Sequence, residues 1–276
     1  MNYQKFRNRL IEEAEEGYRE FALKGTITER PLLGVRIPKC RIIAKEVLEG
    51  EFDGKIITGE VNKKDAEKIR TENARDFLVN EPTAFEEVMV RGFVISGLRY
   101  PEMIKELYKF IPLIDNWAVC DCFTASIRKN VKKNRAEYLN EIDKMLKSLD
   151  EFETRVALVS LLDHYIEPDY LQVVFDRINE ISLCLSDGPG ELSVERAKGK
   201  TEGERKRKVM AWDAYYVKMA VAWLISVCFA KFPEQTSIFF SHLSLPVWTY
   251  NKSITKTCES YRVDKDLKAE LKKMKR

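Results

Sequence analysis

An all-α fold is the expectation, and three observations lead to it. Apolar residues recur at helical spacing along nearly the whole chain, no stretch of useful length alternates apolar with polar residues, and the periodic segments are joined by short connections. Residues 3–24 carry Phe6, Leu10, Ile11, Ala14, Tyr18, Phe21 and Ala22 on one stripe with Glu, Arg and Lys opposite, and Gly25 ends the run, so one surface helix is expected there. Pro38 is placed to open the next helix, Ile42, Ile43, Val47 and Leu48 form its inner face, and Gly50 stands where a left-handed C-terminal cap belongs. The segment 51–61 reads as a short strand or a loop. Further helices are expected over 64–79, 83–97, 101–110, 115–127, 132–148, 151–166, 168–183, 209–231, 234–243 and 247–262.

Helices in pairs, at about 40 to 47 residues per pair, suggest a HEAT-like solenoid. No clean internal repeat accompanies that spacing, so periodicity alone leaves a large helical bundle equally open. With 276 residues, 45% of them apolar, and only 12 Gly and 9 Pro, the chain can bury a substantial core, and one solenoid domain over 1–276 is expected. Disordered and collagen-like classes are excluded by the same composition. The longest uncharged apolar run, Met219 to Ala230, falls short of the roughly 20 residues that span a bilayer, and reads as a buried helix. The charged start MNYQKFRNRLIEEAEE lacks the features of a secretory leader, so a cytoplasmic protein is expected.

The net charge of +3 conceals an asymmetry. Segment 128–135 (RKNVKKNR) carries +5, segment 196–208 another +5, and the tail 264–276 carries +3, which leaves −10 on the remaining residues. Such segments are either solvated helix ends and a loop or, if they converge, a surface for phosphates. The stretch 186–208 reads as a polar, basic loop insertion, and 264–276 as a basic tail. Six scattered Cys without a C-x-x-C, and only two histidines, His164 and His242, spell out no zinc site. Reduced cysteines filling core space are expected. No phosphate-loop or dinucleotide-binding fingerprint occurs, so no nucleotide cofactor, and no cofactor of any kind, is implied.

The most informative stretch is PLIDNWAVCDCF at 112–123. Asp115 is a candidate N-cap for a helix that puts Trp117 and Asp121 four residues apart, hence on one face. Arg155 opens the apolar face of a later helix and Trp223 lies inside another. Taken singly, these are a core tryptophan with an acid at its edge and two ordinary packing positions.

The order W-x-x-x-D (Trp117, Asp121), then R-x-A (Arg155), then K-M-A-V-A-W (Trp223) resembles the AlkD family of bacterial DNA alkylation repair glycosylases. PLLGVRIPKCR at 31–41, YYVKMAVAW at 215–223 and WTYNKSITKTCESYRV at 248–263 extend the resemblance over roughly residues 5–263. It implies a right-handed superhelix of HEAT-like helix pairs whose concave basic face grips duplex DNA, and excision of cationic N3- and N7-alkylated purines without extrusion of the base. Asp121 is then the catalytic carboxylate, Trp117 and Trp223 the aromatic walls beside the deoxyribose, and Arg155 the neighbouring cation. One departure is visible: some members carry a tyrosine just before the L-G segment, where this chain has Phe21 or Ala22.

A cationic purine leaves as a neutral base, so the chemistry needs no strong general acid and few histidines are no obstacle. Candidate backbone contacts are Arg128, Lys129, Lys132 and Lys133, with Lys39, Arg41 and Lys218 as lesser ones. The expected partner is duplex DNA containing alkylated purines, with no membrane, and nothing demands more than a monomer. Two rival readings are a non-catalytic helical-repeat protein that binds DNA structures or lesions, and a protein-protein scaffold. Trp212, Trp248, Tyr215 and Tyr216 read as packing residues.

Overall fold

A computed structural model describes residues 1–57, 61–148, 150–186 and 214–276, and the described residues form fifteen α-helices with no strand. The all-α expectation holds. Two compact units divide the chain, Met1–Asn134 and Arg135–Arg276.

In the first unit the helices are α1 (Tyr3–Glu12), α2 (Glu16–Leu23), α3 (Ile37–Glu49), α4 (Lys63–Leu78), α5 (Phe85–Ser96), α6 (Tyr100–Phe110), α7 (Trp117–Ser126) and α8 (Arg128–Lys133). The helix α5 is buried on every side from Phe85 to Ile95, as its apolar run requires, and α3, α6 and α7 pack around it. Two of its acids are buried with it. The Glu86 carboxylate accepts hydrogen bonds from the backbone N–H groups of Leu33 (2.9 Å), Gly34 (2.7 Å) and Val35 (3.1 Å). Glu87 accepts from Arg7 Nε and from the N–H of Thr83. Gly34 has φ +94°, and a Cβ there would stand 2.6 Å from the carbonyl oxygen of Glu15, so only glycine lets the segment before α3 lie this close. At the other end of α3, Gly50 takes the expected left-handed cap at φ +84°.

The single helix expected over 3–24 is two. Its stripe continues only as far as Leu10, because Ala14 pairs with Val35 in an isolated antiparallel bridge and the N–H of Glu15 donates to the carbonyl of Gly34 at 3.0 Å. A contact distant in sequence thus interrupts an uninterrupted local period. Phe6 and Leu10 are buried, but Ile11 and Phe21 are exposed, and α2 buries no residue. Residues 51–57 form a turn and an irregular stretch, not a strand. The expected helix over 115–127 is shorter, and RKNVKK forms a separate short helix after it.

The second unit comprises α9 (Arg135–Ser148), α10 (Glu151–His164), α11 (Leu171–Ser182), α12 (Tyr215–Lys231), α13 (Pro233–His242), α14 (Val247–Glu259) and α15 (Lys265–Lys273). Both α10 and α12 are apolar nearly all round and form its core, α10 against α9 and α12, and α12 also against α13 and α14. The 264–276 segment, expected only as a tail, contains α15. Asp264 caps it through the N–H of Asp266, and Leu271 anchors it. The stretch 187–208 of the basic loop, and the expected helical residues 209–213 with Trp212, lie outside the described residues.

Candidate active site

The two residues before α7 set the geometry of its first turn. Asn116, not Asp115, is the N-cap: its Oδ1 accepts from the N–H of Val119 at 3.0 Å. Adjacent Asp and Asn are both good caps, so local preference does not separate them. Asp115 is taken by the α2–α3 loop instead, where its Oδ2 accepts from Thr28 Oγ1 (2.8 Å) and the N–H of Glu29 (2.9 Å) and pairs with Arg30 Nη1 (3.3 Å). Nδ2 of Asn116 donates to the other Asp115 oxygen at 2.6 Å.

Along α7, Ala118, Val119, Cys120, Phe123 and Thr124 turn into the core. Burying Phe123 and Val119 contributes about 1.5–3 kcal/mol each and fixes the rotation of the helix. Trp117 and Asp121 share one face, as their spacing predicts, and that face is the outer edge. The indole of Trp117 is 44% exposed and its Nε1 donates to the carbonyl of Gly25 at 3.1 Å. Asp121 is half-buried one turn on, and its carbonyl accepts from Thr124 Oγ1 at 3.0 Å.

A cation stands near this edge. Nη1 of Arg41, from α3, donates to Ser126 Oγ at 2.7 Å, and its guanidinium lies 4.1 Å from the centre of the Phe93 ring. Burial pushes the Cys122 thiol up, Arg41 opposes that shift and Asp121 adds to it, so this thiol feels both charges. Tyr18 of α2 is also pushed up by burial, with Cys40, Glu86 and Cys122 adding to the effect and Arg36 opposing it. Of the other cations, Lys39 is exposed and pairs with Glu13 at 3.0 Å. Arg128, Lys129, Lys132 and Lys133 are all exposed on α8. No acid pairs with Lys129, Lys132 or Lys133 among the described residues. Their helix is held from beneath by buried Ile127 and Val131, and by Asn130 Nδ2, which donates to the carbonyl of Leu98 at 2.9 Å.

In the second unit Arg155 is buried in α10 and ties down the first turn of α12. Its Nη1 donates to the carbonyl of Tyr216 at 2.9 Å and its guanidinium lies 5.7 Å from the centre of that tyrosine's ring. Glu151 Oε1 accepts the N–H of Tyr216 at 2.8 Å, so two side chains of α10 serve one turn of α12. Trp223 is half-buried two turns further along α12. Lys218 differs from a surface contact: it is fully buried, with Nζ 5.5 Å from the centre of the Trp248 ring. It shares the buried side of α12 with Val217, Val221 and Ala222. His164 is buried and His242 exposed, and among the described residues no cluster of His, Cys, Asp and Glu is arranged to hold a metal. No helix among them is long and apolar enough to cross a membrane.

The first unit therefore joins Trp117 and Asp121 on one edge with Arg41 close by, and the second places Arg155 and Trp223 on its two core helices. A family model described as DNA alkylation repair enzyme matches residues 4–181, well over half of the chain. The chain belongs to that family. The match covers the first unit from residue 4 onward and, in the second, reaches through α10 and most of α11, so that Trp117, Asp121 and Arg155 lie within it and Trp223 beyond it. No curated protein and no solved structure matches the chain at a significant level.

Sequence reasoning missed the role of Asp115 as a loop anchor and that of Glu86 as the acceptor for the Leu33–Val35 amides. An acid inside the apolar run FEEVMVRGFVIS was the available signal for Glu86, since a carboxylate is buried only where donors meet it.

Proposed function

We propose that this DNA alkylation repair family member is a DNA glycosylase that hydrolyses the N-glycosidic bond of cationic N3- and N7-alkylpurines in duplex DNA. The observation that carries the reading is the outer edge of α7, where a hydrogen-bonded, half-exposed indole and a half-buried carboxylate stand one turn apart. The C1′–N9 bond breaks with its electron pair passing to the purine, which neutralises the positive charge and departs. Cationic character moves to the sugar. Asp121 stabilises that oxocarbenium-like state and orients the water whose oxygen bonds to C1′ while its proton passes to the carboxylate or solvent. An indole face adds cation-π attraction of about 0.5–2 kcal/mol.

The reading gives Trp223 the role of a second aromatic wall beside the deoxyribose and Arg155 that of the neighbouring cation. It assigns phosphate contact to Arg128, Lys129, Lys132, Lys133, Arg41 and Lys39, and none to the buried Lys218. The family's HEAT-like superhelix and concave basic face belong to the same proposal.

Incubation with a methylated duplex, followed by detection of free 7-methylguanine and abasic sites, tests it. Asp121→Asn keeps the shape and removes the charge, so excision falls by roughly a hundredfold or more while affinity for undamaged duplex stays near that of the wild type. Unaltered excision by that variant refutes the mechanism. Duplex binding without excision by the wild type supports the non-catalytic rival instead.

A further inference from the structure

The loop from the end of α2 to Arg30 has almost no core of its own. No residue of α2 is buried, Phe21, Leu23 and Ile27 are exposed, and a Cβ at Gly25 would meet nothing within 4 Å. Apolar packing therefore does not fix this segment, and polar anchors must. Two of them come from the start of α7: Trp117 Nε1 on the Gly25 carbonyl, and Asp115 on Thr28, Glu29 and Arg30. Arg30 Nη1 also donates to the carbonyl of Leu113 at 3.1 Å, which closes the same clasp from the loop side.

We propose that Asp115 is a positioning residue for Trp117. By holding Thr28 to Arg30 it fixes the Gly25 carbonyl three residues earlier, and that carbonyl sets the plane of the indole beside Asp121. Trp117 needs such a device. A ring 44% exposed has few packing contacts to choose its rotamer, and one acceptor at 3.1 Å supplies the choice only while the acceptor itself stays in place. Both Asp115 oxygens are engaged with Thr28, Glu29, Arg30 and Asn116, so the acid acts through the loop and does not touch the reacting atoms.

The catalytic part of this inference rests on the glycosylase reading; the structural part does not, and the test separates them. In single-turnover excision from methylated duplex, Asp115→Ala slows the step by about two- to thirtyfold through misplacement of the ring, no more than loss of the indole itself would, with binding of undamaged duplex nearly unchanged. Because Asp115 works through the indole, the Asp115→Ala, Trp117→Ala double variant is no slower than Trp117→Ala alone. Losses that multiply overturn the proposal, since a general structural role would be additive. Thr28→Val removes one donor to Asp115 without touching the Asn116 cap, gives a smaller loss with the same non-additivity, and stands in if Asp115→Ala does not fold. The second arm needs no activity: the Trp117 indole N–H signal, assigned by its loss in Trp117→Phe, exchanges with solvent faster in Asp115→Ala. Unchanged exchange overturns the positioning role whatever the enzyme does, whereas faster exchange in Asp115→Ala together with a wild type that never excises leaves the positioning role standing and removes the glycosylase reading.

Discussion

Replacing Lys129, Lys132 and Lys133 together by Gln should flatten the salt dependence of duplex binding by an amount that the structure allows to be worked out. All three are exposed on α8 and none has an acid partner among the described residues. Lys129 lies about 4.5–6 Å along the helix axis from the other two, close enough for all three to meet neighbouring phosphates. Each phosphate neutralised contributes about 0.9 to the slope of log K against log salt, so the triple variant loses about 2.7 from that slope. Across a fourfold rise, from about 50 to 200 mM salt, the wild type should then lose about 40-fold more affinity than the variant. Gln has nearly the helix propensity of Lys, and Ile127, Val131 and Asn130 are untouched, so thermal stability should hold. Fluorescence anisotropy with a labelled undamaged duplex measures the slope. A slope unchanged within about 0.5 would refute the assignment of α8 to the DNA backbone.

Glu86→Gln keeps the size of the side chain but replaces one oxygen, among three converging amide N–H groups, by an N–H₂ donor; it should cost about 1–3 kcal/mol, read as a lower midpoint in denaturant unfolding. Stability equal to wild type would show that the Leu33–Val35 segment is held by something else. Thiol labelling of the native protein at pH 8 should modify Cys184 or Cys258 ahead of Cys122 and spare the buried Cys40, Cys120 and Cys228. Burial raises the Cys40 thiol strongly and pushes Cys228 up to about 12, so neither is ionised at that pH; mass mapping of a modified Cys228 in folded protein would contradict the structure.

Helices whose stripes are settled locally, such as α6, α9 and α11, were legible from spacing alone, and so was the sharing of one α7 face by Trp117 and Asp121, though not that the face lies outward. The break at Ala14 was not, because it arises from a backbone bridge to Val35 that no local pattern encodes. Nor was the choice of Asn116 over Asp115 as cap, which depends on where Thr28 comes to lie. Lys218 looked like a surface charge because its type usually is one, and burial against Trp248 is a tertiary outcome. The departure noted near Phe21 also reads differently in three dimensions. Phe21 is exposed, while Tyr18, one turn earlier, is half-buried, and burial pushes its hydroxyl up.

A six-residue helix does not persist in water by itself. That α8 exists at all is owed to the two aliphatic side chains and the amide clamped beneath it. Its lysines are consequently borne on a fixed comb and not on a loose thread, so meeting a polyanion requires no prior freezing of main chain, and attraction is opposed only by the stilling of side-chain tips.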